Sequence, residues 1–560
     1  MKSARRSSHR PGGPGEPEAR SGTDRRRDRR TSRRLPLTIE SVTGVTTNLS
    51  EQGLAVRVPL AVEPGALVRG ELAPPEGAPL PFQAEVRWVR RGAGGGPAAP
   101  TWSHLGLRLR HPIGEAHRRL LDAAAAIQPG ATASYGELLA KVERLSFFDR
   151  LSAAAPTLQN VIRGVEPRYL RQLVSPCDRE VLVVDPTSRT PRRMLMFGSN
   201  NYLGLANHPH VRERVEKAVR TYGPGLGSVP LLGGYSVLHR EVEERLSDFK
   251  STEDTVLFSS GYVANLALAT ALFGPRDVVV VDEFVHASLC DGLKAGAQGR
   301  VLRFRHNHMG DLGRVLERYR PDAQRDVFLA IEGVYSMAGD VAPLDEIVPL
   351  CRRRGLVSII DDAHGDGVMG PTGRGTPEHF GVEGQIDVVM GTLSKAFAAV
   401  GGFVSGSRDL VDYLRVFGRA YVFSTSLPPP VLATVLGGLE VIEREPERVL
   451  RLQANVRYAR AALARMGIEV RAHGAILPLR LPRHLHLHDA ARRFDEAGIF
   501  VNPVEYPAVP VGGEIFRVNL MATHTRDDID RLLATIEEIW SSSGPTEERP
   551  AASGCGLGAA

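Results

Sequence analysis

Five short apolar runs, each ending in polar and reactive residues, set the narrowest limits on what this chain can fold into. They are "TVLF", "DVVVVD", "VFLAIEG", "LVSIIDDAH" and "IDVVMG", spread between residues 255 and 391. Runs of this length are far too short to span a membrane. They lack the in–out alternation of a half-solvated strand, so they read as strands buried on both faces. Amphipathic helical stretches lie between them, and the repeated strand–helix pattern over residues 166–541 predicts an α/β domain whose mostly parallel sheet is covered by helices. Ligands of such sheets gather beyond the carboxyl ends of the strands. The chemistry-bearing residues stand at those ends: Ser259, Ser260, Gly261 and Tyr262; Asp282 and His286; Glu332 and Ser336; Asp361, Asp362 and His364; and Gly391, Thr392, Ser394 and Lys395.

Lys395 is the oddest of them. Lysine belongs in water, yet "MGTLSKAFAAVGGF" sets this one among small residues directly after a buried run. A covalently occupied amine removes the difficulty, because a Schiff base carries no free ammonium. The stretch "SSGYVAN" adds small residues at the start of a helix, a seat for phosphate. Lysine, strand-end aspartate and phosphate seat together point to pyridoxal 5'-phosphate. The hydroxyls of Thr392 and Ser394 are placed to supplement the backbone N–H groups at that seat.

A family resemblance then emerges. "SNNYLGLANHP" (199–209), "SSGYVAN" (259–265), "DEFVHASL" (282–289), "EGVYSMAGD" (332–340), "DDAHGDGVMG" (361–370), "GTLSKAF" (391–397) and "FSTSLPP" (423–429) resemble the α-oxoamine synthases, in family order. These are fold-type-I pyridoxal phosphate enzymes that join an amino acid to an acyl-CoA with loss of carbon dioxide. The resemblance implies a large parallel-sheet domain followed by a small α+β C-terminal domain. It makes Lys395 the Schiff-base lysine, pairs Asp361 with the pyridine nitrogen and His364 with the ring hydroxyl, and stacks His286 over the ring. Ser336 reaches the cofactor, Gly261 and Tyr262 offer N–H groups to the phosphate, and Thr425 approaches it from the other subunit of a homodimer. Asn200 and Arg517 hold the substrate carboxylate, and Glu332 and His239 are neighbours of the site.

The resemblance leaves the substrates open. "AFAAVGGF" after the lysine is similar to the bulkier form found in serine palmitoyltransferases, whereas "FSTSLPP" is common in the biotin-pathway enzyme. The preferred expectation is serine with a long-chain acyl-CoA. The alternative is 8-amino-7-oxononanoate synthesis from alanine and a pimeloyl thioester.

Charge separates the N-terminal part from the rest. The formal net charge is +6, yet residues 1–34 hold twelve Lys/Arg against four Asp/Glu, an excess of eight that leaves the remainder at −2. The large domain therefore has no charge-based case for binding a nucleic-acid polymer. Residues 1–24 read as a disordered basic tail, 25–130 as a small all-β domain, 131–165 as a linker and helical lead-in, and 542–560 as a frayed tail. Segments such as "LTIESVTGVTTNLS", "GLAVRVPL", "FQAEVRWVRR" and "SHLGLRLR" alternate with period two, and "GEAHRRLLDAAAAI" reads as a closing helix. "RRTSRRLPL" followed by "NLSEQG" resembles a PilZ domain. That implies a cyclic di-GMP site built from Arg30 and Arg34 (with Arg29 and Arg33 as an alternative register), Asn48, Ser50 and Gly53, since guanidinium groups fork onto phosphates and stack on guanine. Electrostatic attraction of the basic tail to anionic lipid is the competing reading, and would allow peripheral membrane contact. No apolar run is long enough for a membrane span, and the Arg-rich start is unlike a signal peptide. Four scattered cysteines without ligand spacing suggest free thiols, a cytoplasmic setting and no metal site. A function of another class is a cyclic di-GMP receptor whose synthase-like domain is catalytically inactive.

Overall fold

The computed structural model describes residues 30–110 (without 32–35, 41, 51–52, 59–61, 73–79 and 92–102), 147–151 and 169–542 (without 186–187, 297–298, 320, 323–324, 506–507 and 511). The expected basic tail, the closing helix at 114–127, most of the lead-in, the last residues from 543 on, Arg29, Arg33 and Arg34 lie outside the described residues. Among the described residues no helix is long and apolar enough to cross a membrane. The chain divides into two compact units.

The first unit contains β1 (Arg30–Thr31), β2 (Pro36–Ile39), β3 (Val42–Ser50), β4 (Gly53–Val58), β5 (Leu67–Leu72), β6 (Leu80–Arg91) and β7 (Ser103–Leu109). All pairings are antiparallel, in the order β1-β3-β2-β5-β6-β7-β4, and β4 pairs back onto β3. That last pairing closes six strands into a barrel, which removes the open edges a flat sheet would leave. The period-two alternation fills its interior. Leu54, Val56 and Val58 of β4, Leu105, Leu107 and Leu109 of β7, and Phe82, Ala84 and Val86 of β6 share one core. The register sets Arg30 opposite Ser50, Ser50 opposite Gly53, and Asn48 opposite Ala55, with a bulge between Thr46 and Asn48. The backbone thus gathers four of the five expected nucleotide residues at one end of β3.

The second unit is built on a seven-stranded sheet: β10 (Asp254–Phe258), β11 (Val278–Asp282), β12 (Arg300–Phe304), β13 (Val327–Glu332), β14 (Val357–Asp361), β15 (Val388–Thr392) and β16 (Gly402–Gly406). Its order is β10-β16-β15-β14-β13-β11-β12. The pairs among β11 to β15 are parallel, and β16 runs antiparallel between β10 and β15. Both faces are covered along β10, β11 and β13 to β15, which is why their runs are mostly apolar, whereas edge strand β12 exposes Arg300 and Arg303. Val279 and Val281 join a core with the helix Gly261–Leu272, while Val278 and Val280 join another with the helices Met309–Glu317 and Leu344–Arg354. Two smaller sheets complete the unit. One is β8 (Glu180–Val184), β9 (Pro191–Met196) and β18 (Ile499–Phe500); the other is β17 (Ile476–Arg480), β19 (Asn502–Val504) and β20 (Ile515–Asn519).

Candidate active site

Parallel register brings the reactive strand ends to one level. Glu332 pairs with Asp361 across β13 and β14, and Asp361 with Met390 across β14 and β15. Each parallel strand delivers its last residue to the same edge, so residues far apart in sequence converge there.

Asp361 is buried, and its carboxylate is held from two sides. Asn265 Nδ2 donates to Oδ2 at 2.8 Å, and the Ala363 N–H donates to Oδ1 at 3.1 Å. Asn265 is buried in the helix Gly261–Leu272 and also donates to Ser288 Oγ at 2.9 Å. Ser288 in turn contacts His286 Nδ1 at 2.7 Å. One buried amide therefore orients both the strand-end carboxylate and the residue that sets the His286 ring. Sequence reasoning missed Asn265, although the one amide side chain inside "VANLALATAL" is the signal that could have found it.

Lys395 is half-buried. Burial lowers its pKa, Asp361 and Glu332 raise it, Arg517 lowers it, and the balance is about 8. His286 is lowered by desolvation, against Asp361 and with Lys395. His364 is buried, contacts the Tyr202 hydroxyl at 2.8 Å, and is held well below the usual imidazole range by burial and by Lys395, Arg517 and His286. Both imidazoles are therefore neutral at pH 7. Glu332 is also buried. Its Oε2 accepts from the Ser336 N–H at 3.1 Å, its Oε1 is buried without a partner, and burial and Asp361 push its pKa well up. Arg517, on β20, is buried and forks. Nε donates to the Ser336 carbonyl at 2.8 Å and Nη1 to Asn200 Oδ1 at 3.0 Å. Asn200 Oδ1 also accepts from Asn519 Nδ2 at 3.1 Å and from the Tyr202 hydroxyl at 3.2 Å. The structure thus joins Asn200 and Arg517, and adds Tyr202 and Asn519, which sequence reasoning had not named.

The helix Gly261–Leu272 begins beside β15 and β16. Ser260 caps it, accepting from the Val263 N–H at 3.1 Å. Thr392 Oγ1 contacts Ser394 Oγ at 2.9 Å. A Cβ at Gly261 would stand 3.0 Å from Thr392 Oγ1, and one at Gly402 would stand 2.6 Å from both the Cα and the N of Gly261. Glycine is required at 402, where any Cβ would collide with the Gly261 backbone, and glycine at 261 lets the helix start come close to the Thr392 hydroxyl. The Tyr262 hydroxyl is bonded to Asp291, which leaves its backbone as the part facing the seat. Thr425 is exposed. His239 caps its own helix through Ser236 and lines a small cavity with Glu243, Ser259, Ser424 and Thr425.

These residues fit pyridoxal phosphate. A lysine amine near neutrality, a carboxylate kept as an acceptor, neutral imidazoles, and hydroxyls beside the free N–H groups of a helix start are the set the cofactor needs.

Comparison with known proteins gives the same picture. The family described as aminotransferase class I and II matches residues 192–536, and the PilZ domain family matches residues 24–126. The 8-amino-7-oxononanoate synthase of Symbiobacterium thermophilum is 37% identical over 378 residues, 67% of this chain and 94% of its own. The serine palmitoyltransferase of Bacteriovorax stolpii is 37% identical over 348 residues, 62% of this chain and 82% of its own. The structure of Sphingomonas wittichii serine palmitoyltransferase matches 71% of this chain and 98% of its own at 33% identity, with a TM-score of 0.65.

Proposed function

Because this chain belongs to the aminotransferase class I and II family, as a pyridoxal phosphate-dependent acyltransferase of the α-oxoamine synthase group, we propose that it condenses serine with a long-chain acyl-CoA. The observation that carries the catalytic reading is Lys395, brought to about pKa 8 at the level where Asp361, Glu332, His286 and His364 converge. The serine reading is supported by "AFAAVGGF" and by likeness to the serine palmitoyltransferase structure.

In this reading Asp361 holds the cofactor's ring nitrogen, His364 and Ser336 its hydroxyl side, and His286 its face. The start of the helix at Gly261 and Tyr262, with Thr392 and Ser394, holds the phosphate, and exposed Thr425 is available to a second copy of the chain in a homodimer. When bound, pyridoxal phosphate supplies an electron sink that lets the bonds at the amino acid's α-carbon break. Lys395 Nζ takes the α-proton, and burial, by lowering its pKa to about 8, favours the neutral amine that can do so. Asn265 keeps the Asp361 carboxylate aimed by direct donation. Arg517, preset by the Ser336 carbonyl and Asn200, binds the substrate carboxylate until it departs as carbon dioxide. His286 and His364, being neutral, add no positive charge to compete for that carboxylate.

The test is release of CoA thiol by the full-length chain with palmitoyl-CoA or pimeloyl-CoA, each crossed with serine, alanine and glycine. Release with serine and palmitoyl-CoA supports the proposal. Release with alanine and pimeloyl-CoA alone replaces it with 8-amino-7-oxononanoate synthesis. No release with any pair, from a chain that binds cyclic di-GMP, supports a receptor with an inactive synthase-like domain.

A second reading concerns the barrel and is favoured by the PilZ match. Arg30, Arg34, Asn48, Ser50 and Gly53 bind cyclic di-GMP, and the nucleotide changes synthase output. Coupling of this kind requires different nucleotide affinities in more and less active states. Turnover is measured with and without cyclic di-GMP at concentrations shown to saturate the chain. An unchanged rate eliminates control of output.

A further inference from the structure

His306 follows β12 and lies outside every motif that the sequence reading singled out. Its ring is held between two carboxylates. Nδ1 meets Asp282 Oδ1 at 3.0 Å, and Nε2 meets Asp340 Oδ2 at 2.9 Å. The ring stacks on Phe284 with centroids 4.3 Å apart and meets the edge of Tyr335 at 4.4 Å. Its own backbone N–H donates to Glu283 Oε1 at 2.9 Å. The next residue repeats the pattern. The Asn307 N–H donates to Asp282 Oδ2 at 2.8 Å, and its side-chain amide donates to Asp340 Oδ2 at 3.3 Å and to the Val341 carbonyl at 3.1 Å.

The two clamped carboxylates belong to different loops. Asp282 ends β11 and begins the turn that carries His286; the Phe284 N–H bonds back to Asp282 Oδ1 at 2.8 Å. Asp340 closes the turn after β13 that carries Ser336; the Tyr335 N–H bonds to the Asp340 carbonyl at 3.0 Å. Ser336 in turn offers its carbonyl to Arg517 Nε.

We infer that His306 is a positioning residue whose ring staples the His286 loop to the Ser336 loop, and so sets His286 over the cofactor and Arg517 toward the substrate carboxylate. Each ring nitrogen faces a carboxylate oxygen, an arrangement that needs a proton on both. The electrostatics agree. Burial lowers the pKa, the hydrogen bonds to Asp282 and Asp340 raise it, and the balance is about 9. The charged and titratable groups facing the ring are Asp282 and Glu283 from one loop and Tyr335 and Asp340 from the other, with the charge of Arg471 acting on Asp340. The inference rests on the roles proposed above for His286 and Arg517.

The test compares the full-length chain with His306→Gln, Asp340→Asn and the double variant. Three quantities are read: the melting temperature, the Kd of the cofactor-free chain for pyridoxal phosphate, and kcat and KM for the amino acid. Each single variant is expected to raise the cofactor Kd and the amino-acid KM about tenfold, the worth of a charge-assisted hydrogen bond, with a smaller change in kcat. The double variant should be no worse than the more severe single, since both remove one staple. The ratio of wild-type to His306→Gln KM should also rise toward one between pH 8 and pH 10, where the wild-type ring loses its second proton. Fully additive effects, or a lowered melting temperature with unchanged Kd and KM, would overturn the inference. Should His306→Gln fail to fold, Asp340→Asn decides alone: losing one clamp must move the alkaline rise in KM to lower pH, and a rise at unchanged pH refutes the staple. A wild-type chain that takes up no pyridoxal phosphate would overturn the site reading itself, and this inference with it.

Discussion

Replacing Lys250 by methionine tests how the segment after β14 is held. Lys250 ends the helix Val237–Lys250 and is 4% exposed. Its Nζ donates to Asp362 Oδ2 at 2.9 Å, to Asp366 Oδ1 at 2.7 Å and to the Arg374 carbonyl at 2.6 Å. Both aspartates are buried. Asp362 keeps other donors in the N–H and hydroxyl of Thr376, but Asp366 Oδ2 has no partner. Lys250→Met leaves two carboxylates without the cation they share, and breaking a buried pair from one side costs about 3–5 kcal/mol. About 370 residues at about 2 cal/mol/K each give an unfolding entropy of roughly 0.8 kcal/mol per degree, so melting should fall by about 4–6 °C. The pH dependence has a definite sign. Burial pushes Asp366 up to about 7 against the pull of Lys250, and Asp362 beside it adds to the rise. A carboxyl whose folded pKa lies above its unfolded value contributes stability at low pH and loses it as pH rises through the folded value. In the wild type that loss is complete a little above pH 7. Without Lys250 the folded pKa climbs further, so the deficit grows between pH 6 and pH 8.5. Melting of the full-length chain, followed by far-UV circular dichroism at both pH values, reads this directly. Adding Asp366→Asn should recover more than half of the loss. A Lys250→Met chain within about 1 °C of wild type at both pH values, or a double variant less stable than the single, would refute the reasoning.

Three further outcomes are expected. Asn265→Ala removes the donor to Asp361 Oδ2, a charge-assisted bond of about 1.5–3 kcal/mol, so the cofactor Kd by absorbance titration should rise roughly 10- to 100-fold; an unchanged Kd contradicts the role given to Asn265. Arg517→Lys cannot keep the fork to the Ser336 carbonyl and Asn200 while binding a carboxylate, so steady-state kinetics should show the amino-acid KM up about tenfold or more, with kcat less affected. Gly402→Ala drives a Cβ to 2.6 Å from backbone atoms of Gly261, which must shift, so both melting temperature and cofactor affinity should fall; a variant that binds as tightly as wild type counts against the close approach.

The sequence exposed what is local. Each reactive residue at a strand end could be read because strand and turn are contiguous, and Lys395 announced itself by contradicting its surroundings. Alternation marked the inward face of the barrel strands. Closure of β4 onto β3 was less legible, since no residue pattern encodes which edges meet. The five residues of β16, "GFVSG", carry too little apolar signal to be read as a strand, yet the fold inserts them between β10 and β15. The supporting groups were hidden for the same reason. Asn265 meets Asp361 across 96 positions, Lys250 meets Asp366 across 116, and His306 meets Asp340 across 34. Such pairs exist only once the sheet order is known.

The antiparallel β16 gives Lys395 a footing unlike that of the other site residues. His286, Ser336 and His364 follow parallel strands, whereas Lys395 sits in a hairpin between β15 and β16, with the Leu393 N–H bonded to the Gly401 carbonyl at 3.0 Å and the Ala399 N–H to the Leu393 carbonyl at 2.8 Å. Beyond that hairpin, β16 pairs with β10, from Asp254↔Gly406 to Phe258↔Gly402. The lysine loop and the phosphate seat therefore share one strand, a late one paired with an early one. Such a long-range pairing is slow to form. Neither feature exists without β16 in place, so holding the cofactor requires a closed sheet.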